Sequence, residues 1–311
     1  MSSTAPRSYS AAHFGLELDG IKQVGIFRSI EGGGVKTQVL TYDHGGGQEK
    51  WRQIGKPSFD DIKLQVGMSM SQPFAAWIES FTQGKHDRKT GAILAADFYY
   101  KERARREFKG AMIKELNFPK LEGQDKNAVY MTVGLCVEDI HFKKGSGARL
   151  DAVTGDGTNK DIQQKLWTAC NFRFELSGFN TRRVAKVDPF TIKMQVVEHH
   201  MGGQLSPIKM PSKVEFPNLA FYVPEIDSLQ FKNHFTNKNQ LAVKNAEREP
   251  AKLHGVLTAL DQQHRELFDL SFTGCDIVSV TPDKADATTD EIKLVKVEIY
   301  TEKMEFKYKQ V

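Results

Sequence analysis

The chain has 311 residues, 40% of them hydrophobic and 26% charged, with a formal net charge of +4. This is the composition of a folded globular protein, not a disordered one, and the length suits two domains of roughly 150 residues. Residues 1–144 hold 21 Lys/Arg against 17 Asp/Glu and residues 145–311 hold 22 of each, which is too mild for the basic stripe of a nucleic-acid binder.

In chain order, residues 1–10 lack the apolar core of a secretory signal and read as a short flexible arm. The expectation is a chain made and folded in a bacterial cytoplasm. Ser29–Thr41 and Ser58–Gly67 alternate apolar and polar residues, with Ile62, Leu64 and Val66 on one face; period two marks half-buried strands. Phe74, Trp77, Ile78 and Phe81 recur at spacings of three and four, so Gln72–Gln83 reads as a helix. Ser71 and Pro73 suit its start and Gly84 its end. Ala92–Phe98 and Arg103–Ile113 flank Tyr99-Tyr-Lys-Glu102, a hairpin pattern. After the loop Pro119–Asn127 comes a strand at Val129–Phe142. Lys143–Leu166 is rich in Gly, Ser and Asp and reads as a linker.

The order then repeats. Strands are expected at Phe172–Leu176, Thr191–Glu198 and Lys213–Val223, a helix at Ile226–Phe235, a hairpin at Leu253–Phe272 around Asp261-Gln-Gln-His264, and a strand at Ile292–Lys309. Sequence landmarks recur with it. Phe14-Gly-Leu-Glu-Leu-Asp-Gly20 answers to Phe172-Arg-Phe-Glu-Leu-Ser-Gly178, and Phe59-Asp-Asp-Ile to Phe216-Pro-Asn-Leu. Phe81-Thr82 answers to Phe235-Thr236, and Phe108-Lys-Gly110 to Phe272-Thr-Gly274. A repeat of this length exceeds the ~20–50 residues of a solenoid unit, so the chain carries a duplicated domain. The expected fold is mainly β with one helix per module: two tandem antiparallel β-sandwich or barrel domains at 11–144 and 167–311, joined by the linker 145–166. Such sheets must pair or cover their edges.

The first module resembles the tail tube proteins of contractile bacteriophages and of phage-like contractile injection systems. The likeness runs through Phe14–Gly20, Ser29-Ile-Glu-Gly-Gly33, Trp51-Arg-Gln-Ile54, Phe59-Asp-Asp-Ile-Lys-Leu64 and Trp77-Ile78. It continues through Arg88-Lys-Thr-Gly91, Ala104-Arg-Arg-Glu-Phe-Lys-Gly110 and Val129-Tyr-Met-Thr-Val133. The second module keeps the framework but lacks counterparts of Arg88-Lys-Thr-Gly91 and Trp51-Arg52. The resemblance implies a structural role: modules side by side in six-fold rings that stack into a hollow conduit for DNA or protein. Partners would be further copies of the chain together with tube, sheath or baseplate and spike proteins, in a virion or injection particle and without membrane insertion. Two modules per chain allow either a trimeric pseudo-hexameric ring, as at a baseplate hub, or a hexamer. The assembly residues it implies are Tyr42, Asp43, Gly45, Gly46, Gly47, Trp51 and Arg52 in a loop reaching the adjacent ring, then Arg88, Lys89 and Gly91, and Tyr99, Tyr100, Lys101 and Arg103 at hairpin tips.

Signs of catalysis or cofactor binding are weak. Gly32-Gly-Gly34 and Gly45-Gly-Gly47 do not lead into a helix with Lys-Ser/Thr, so they read as strand connections rather than a phosphate cradle. Adjacent His199-His200 and Asp60-Asp61 point to opposite faces of a strand and cannot share one ion or one substrate. Gly155–Asp161 lacks the oxygen ligands of a calcium loop. Cys136, Cys170 and Cys275 have no metal-ligand spacing. Arg103, Arg105 and Arg106, beside Glu102 and Glu107, read as a salt-bridging face. No cofactor or metal is expected. The alternative from another class is a small-ligand or flavin binder on paired β-barrels.

Overall fold

The computed structural model describes residues 13–21, 24–43, 50–150, 166–202, 206–244, 252–283 and 292–309. The first module contains β1 (His13–Leu18), β2 (Gly25–Gly32), β3 (Val35–Asp43), β4 (Lys50–Phe59), β5 (Ile62–Met70), α1 (Gln72–Thr82), β6 (Lys89–Ala96), β7 (Glu102–Phe118), β8 (Leu121–Glu122), β9 (Met131–Cys136) and β10 (Asp139–Lys144). The second contains β11 (Phe172–Leu176), β12 (Lys186–Val187), β13 (Phe190–His199), β14 (Ile208–Glu215), β15 (Leu219–Pro224), α2 (Leu229–Lys244), β16 (Leu253–Leu260), β17 (Glu266–Pro282), β18 (Leu294–Tyr300) and β19 (Lys303–Tyr308). Every pairing between these strands is antiparallel. The fold is two tandem, mostly β domains with one α-helix each among the described residues, as the alternating patterns require.

Strand order is the same in both modules. The first runs β1-β6-β7-β9-β5-β2 with β10 on the free side of β7, and the second runs β11-β16-β17-β18-β15-β12 with β19 beside β17. The long strands β7 and β17, 17 residues each, hold each module together. The first half of β7 pairs with β6 and β10 and its second half with β9, so it passes from one layer to the other. The bend falls at Gly110, whose φ of 61° most side chains avoid; Gly274 takes φ 67° at the matching place in β17. Past each glycine the register slips, between Ile113 and Glu115 and between Ile277 and Ser279.

On β5, Ile62, Leu64, Val66 and Met68 are all buried, following the period-two pattern. All four residues of the helical stripe, Phe74, Trp77, Ile78 and Phe81, are buried beneath α1. Ser71 occupies the N-cap position in extended conformation, but its side chain makes no capping bond. Four sequence expectations are corrected. The run Ser29–Thr41 is two strands, because Gly32 and Gly33 adopt φ 84° and 70° and turn the chain out of the sheet. Val129–Phe142 divides into β9 and β10, which pair with different halves of β7. Lys213–Val223 divides into β14 and β15 around Phe216-Pro-Asn218, where Pro217 has no ladder donor. The second helix begins three residues later than expected and runs to Lys244, with Ile226 in a 3-10 turn at Glu225–Asp227.

The modules are not independent beads. β13 adds to the outer edge of β7, with Phe190 opposite Phe118, Thr191 opposite Asn117, Ile192 opposite Leu116 and Lys193 opposite Glu115. β8 pairs with β12. β19 lies along α1: the Phe306 amide donates to Thr82 Oγ1 at 3.1 Å, the Tyr308 amide to Glu79 Oε1 at 2.8 Å, and the Tyr308 hydroxyl to the Met68 carbonyl at 2.7 Å. Phe118, Phe190, Phe268 and Phe306 meet in one aromatic cluster across this seam. The main hydrophobic core therefore runs through both domains.

Candidate assembly surface

The residues flanking the expected inter-ring loop do not form a simple loop. Tyr42 and Asp43 end β3, and Trp51 and Arg52 begin β4, as facing pairs Asp43–Lys50, Tyr42–Trp51 and Thr41–Arg52 of a two-stranded ribbon. Gly45, Gly46 and Gly47 lie outside the described residues. Among the described strands β3 and β4 pair only with each other. Val39, Leu40, Tyr42, Trp51 and Ile54 on this ribbon are all exposed. An isolated two-stranded ribbon is marginal in water, and apolar side chains gathered on one mark a contact surface. Ion pairs fasten it at both ends: Lys36 to Asp60 at 2.8 Å and Lys50 to Asp43 at 3.2 Å.

The hairpin between β6 and β7 is built on Asp97. Its carboxylate accepts from the Tyr99 and Lys101 amides and from the Arg103 guanidinium. Burial pushes the Asp97 carboxyl up, but these donors outweigh it and hold it below the usual carboxylate range. Tyr100 has φ 62° and stacks on His13 at 3.8 Å, while Phe98 and Tyr99 project into solvent. The same turn recurs in the second module. There Asp261 accepts from the Gln263 and Arg265 amides and the Arg265 guanidinium, and His264 has φ 59°. Residues 145–150 of the expected linker fold back on the first turn. The Gly145 and Gly147 amides donate to Arg103 and Glu102, and Leu150 packs on Ala92, Leu94 and Ala96. Residues 151–165, including Gly155–Asp161, lie outside the described residues.

Arg88, Lys89 and Gly91 are not at a tip. They lead into and begin β6, and each makes a contact within the chain. Arg88 pairs with Glu138 and donates to the Lys209 carbonyl of β14 at 2.6 Å, so it joins the two modules. Lys89 pairs with Asp19 at 2.6 Å. At Gly91 a Cβ would stand 2.1 Å from the Glu17 carbonyl oxygen and 2.7 Å from the Phe108 ring. Of the arginines of β7, Arg103 is exposed and pairs with Asp97, Arg105 is half-buried and meets Glu17 and Glu102, and Arg106 is half-buried and donates to the Gly32 carbonyl.

Sequence patterns did not single out the seam residues Phe118, Phe190 and Glu79. One signal for it existed. Val35-Lys-Thr-Gln-Val39 matches Ile192-Lys-Met-Gln-Val196, which identifies the β13–β14 ribbon as the counterpart of β3–β4. Features that suggested chemistry are dispersed. His199 and His200 are exposed, and Asp60 turns to Lys36 while Asp61 turns to Lys114. Among the described residues, no group of three or more His, Cys, Asp or Glu could hold a metal ion, and no helix is long and apolar enough to cross a membrane.

A family of T4-like virus tail tube proteins, gp19, matches the sequence twice, over residues 10–141 and 168–305. The chain belongs to this tail tube family. Its role is that of a structural tail tube protein, and the double match coincides with the two structural modules. No curated protein matches this tail tube chain in sequence. Among solved structures it is similar to a chain of the sheath–tube complex of an extracellular contractile injection system, PVC, in the extended state. There the identity is 16% over 46% of this chain and 99% of that one, with a TM-score of 0.40. It is also similar to chains of the anti-feeding prophage baseplate (12% identity, 44% and 91% coverage, TM-score 0.32) and of the anti-feeding prophage cap (14%, 44% and 89%, 0.35).

Proposed function

We propose that the chain is a ring-forming hub component at the base of a phage-like contractile tail or injection particle, three copies making a pseudo-six-fold ring. Its modules, spanning 11–144 and 167–311, alternate around a bore through which DNA or protein cargo passes. Neighbours along the axis are tube, sheath or baseplate and spike proteins, and the role is non-enzymatic. The protein is made in the bacterial cytoplasm and joins the particle there. The observation that carries this reading is the addition of β13 to β7, which already joins two modules edge to edge inside one chain. Edge-to-edge addition is how sheets become closed barrels, and closure removes exposed edges. The residues proposed to touch neighbouring rings are Tyr42 and Trp51 with the intervening segment, and Tyr99 at the β6–β7 tip.

Electron microscopy of the purified protein, with mass measurement in solution, tests this reading. Rings of three chains support the hub assignment. Rings of six assign the chain to the tube instead, with second modules outside the bore or in the next ring. A chain that stays monomeric at high concentration overturns both.

A further inference from the structure

A chain with two copies of one module carries each contact surface twice, yet the contact between modules is made once within it. The second module gives β13 and β19; the first receives them on β7 and α1. The giving surface recurs on the first module. Lys36 faces Ser58 and Thr37 faces Pro57 in one ribbon, as Lys193 faces Glu215 and Met194 faces Val214 in the other, and each ribbon slips register at the next step. Phe142 faces Arg106 on β10 as Phe306 faces Leu270 on β19. The receiving surface recurs on the second module. β17 matches β7 in length, in its bend at a left-handed glycine and in its bulge. Ser228 precedes α2 as Ser71 precedes α1, accepting from the Phe231 and Lys232 amides as Ser71 does from those of Phe74 and Ala75, and Phe231 is buried as Phe74 is.

Burial separates the used surface from the spare one. Ile192 is 0% exposed and its counterpart Val35 is 45%; Phe306 is 2% exposed and its counterpart Phe142 is 60%. Residues 279–282 of β17 pair with β18 on one side and with no described strand on the other.

We infer that β3 and Phe142 of one chain dock on β17 and α2 of a second copy, repeating between chains the contact that β13 and Phe306 make within one. The register is Lys36 opposite Ser279 and Val35 opposite Val280. This rests on the ring reading and specifies its joint. The contact is head-to-tail, and such contacts generate closed rings when the rotation per step divides the circle. It is also a weaker copy. The stacked pair Phe118 and Phe190, 4.8 Å apart, has Pro282 and Gly33 in the equivalent places, so the joint between chains lacks that aromatic contact. Rings then form at raised concentration or against a neighbouring ring.

The test is disulfide trapping in the full chain with Cys170→Ser, since the other native cysteines are buried. Directly opposed residues on antiparallel strands bring their Cβ atoms to about 4.5–5.5 Å, near disulfide range. Lys36→Cys/Ser279→Cys should oxidise to a covalent closed species of three chains, while Thr41→Cys/Ser279→Cys should not. Phe142→Ala, at an exposed site, should leave the monomer folded by circular dichroism and raise the assembly midpoint concentration roughly tenfold or more. Rings visible by microscopy without cross-linking at 36/279, or with equal cross-linking of both pairs, overturn this joint and leave the ring reading standing. No assembled species at any concentration overturns both.

Discussion

Phe118 at the end of β7 stacks on Phe190 at the start of β13, with ring centroids 4.8 Å apart, so one residue from each module closes the same gap. Phe118 also approaches Phe268 and Phe306. Replacing it by Ala removes contacts to strands of the second module and leaves a cavity at the seam. Phe118→Ala should cost about 3–5 kcal/mol, the usual range for a buried phenylalanine. Urea unfolding measures this. Because one core spans both domains, the variant should still unfold in a single transition. A loss below about 1 kcal/mol would show that the seam collapses without Phe118.

Gly91 and Gly255 make the duplication visible at the scale of atoms. A Cβ on Gly91 would meet the Glu17 carbonyl oxygen at 2.1 Å, and one on Gly255 the Glu175 carbonyl oxygen at 2.3 Å, each beside a phenylalanine ring. Backbone oxygens held in a sheet cannot move aside as a flexible side chain does. Gly91→Ala and Gly255→Ala should each destabilise by about 1–3 kcal/mol or more through overpacking, with similar losses in thermal unfolding. A neutral result at either position would mean that β1 or β11 separates freely from its neighbour.

The strand and helix periods were legible in sequence because they are local. Ile62, Leu64 and Val66 alternate on β5, and Phe74, Trp77, Ile78 and Phe81 form the buried stripe of α1. Breaks were less legible where the pattern continues through them, as at Gly33 between β2 and β3, where only backbone conformation ends the strand. Pairing between modules could not be read, since the partners Phe118 and Phe190 belong to different repeats and no local pattern links them. Of the expected site residues, Tyr42 and Trp51 lie exposed on a ribbon. Arg88 instead joins two modules of one chain, a role visible only once Lys209 is placed beside it.

Asp97 and Asp261 make the two hairpin turns acid-sensitive. Burial raises each carboxyl, but the amide and guanidinium donors prevail and hold both below their ordinary range. A carboxyl lowered in the folded state stabilises fully above its unfolded value of about 3.9, and that contribution is lost as pH falls through the lowered folded value. The melting temperature should therefore hold from neutral pH to about 5 and fall below about 4. Asp97→Asn/Asp261→Asn should melt lower at neutral pH and lose less on acidification. A wild-type acid limb matched by the double variant would assign the sensitivity elsewhere.

The exposed ribbon makes the last prediction. Tyr42 and Trp51 face each other near its tip, and Val39, Leu40 and Ile54 add apolar surface along it. Segment 45–49 connects its strands, and the core of the first module lies elsewhere, on β5, β7, β9 and α1. Deleting residues 45–49 should therefore leave a folded chain with native circular dichroism and unfolding midpoint. It should also leave the β3 edge free, at residues 35–36, to join neighbours within a ring. Stacking between rings should be lost, because the shortened ribbon no longer reaches an adjacent one. Negative-stain microscopy separates the outcomes: single rings bear out the assignment, and stacks of normal length from the deleted chain refute it.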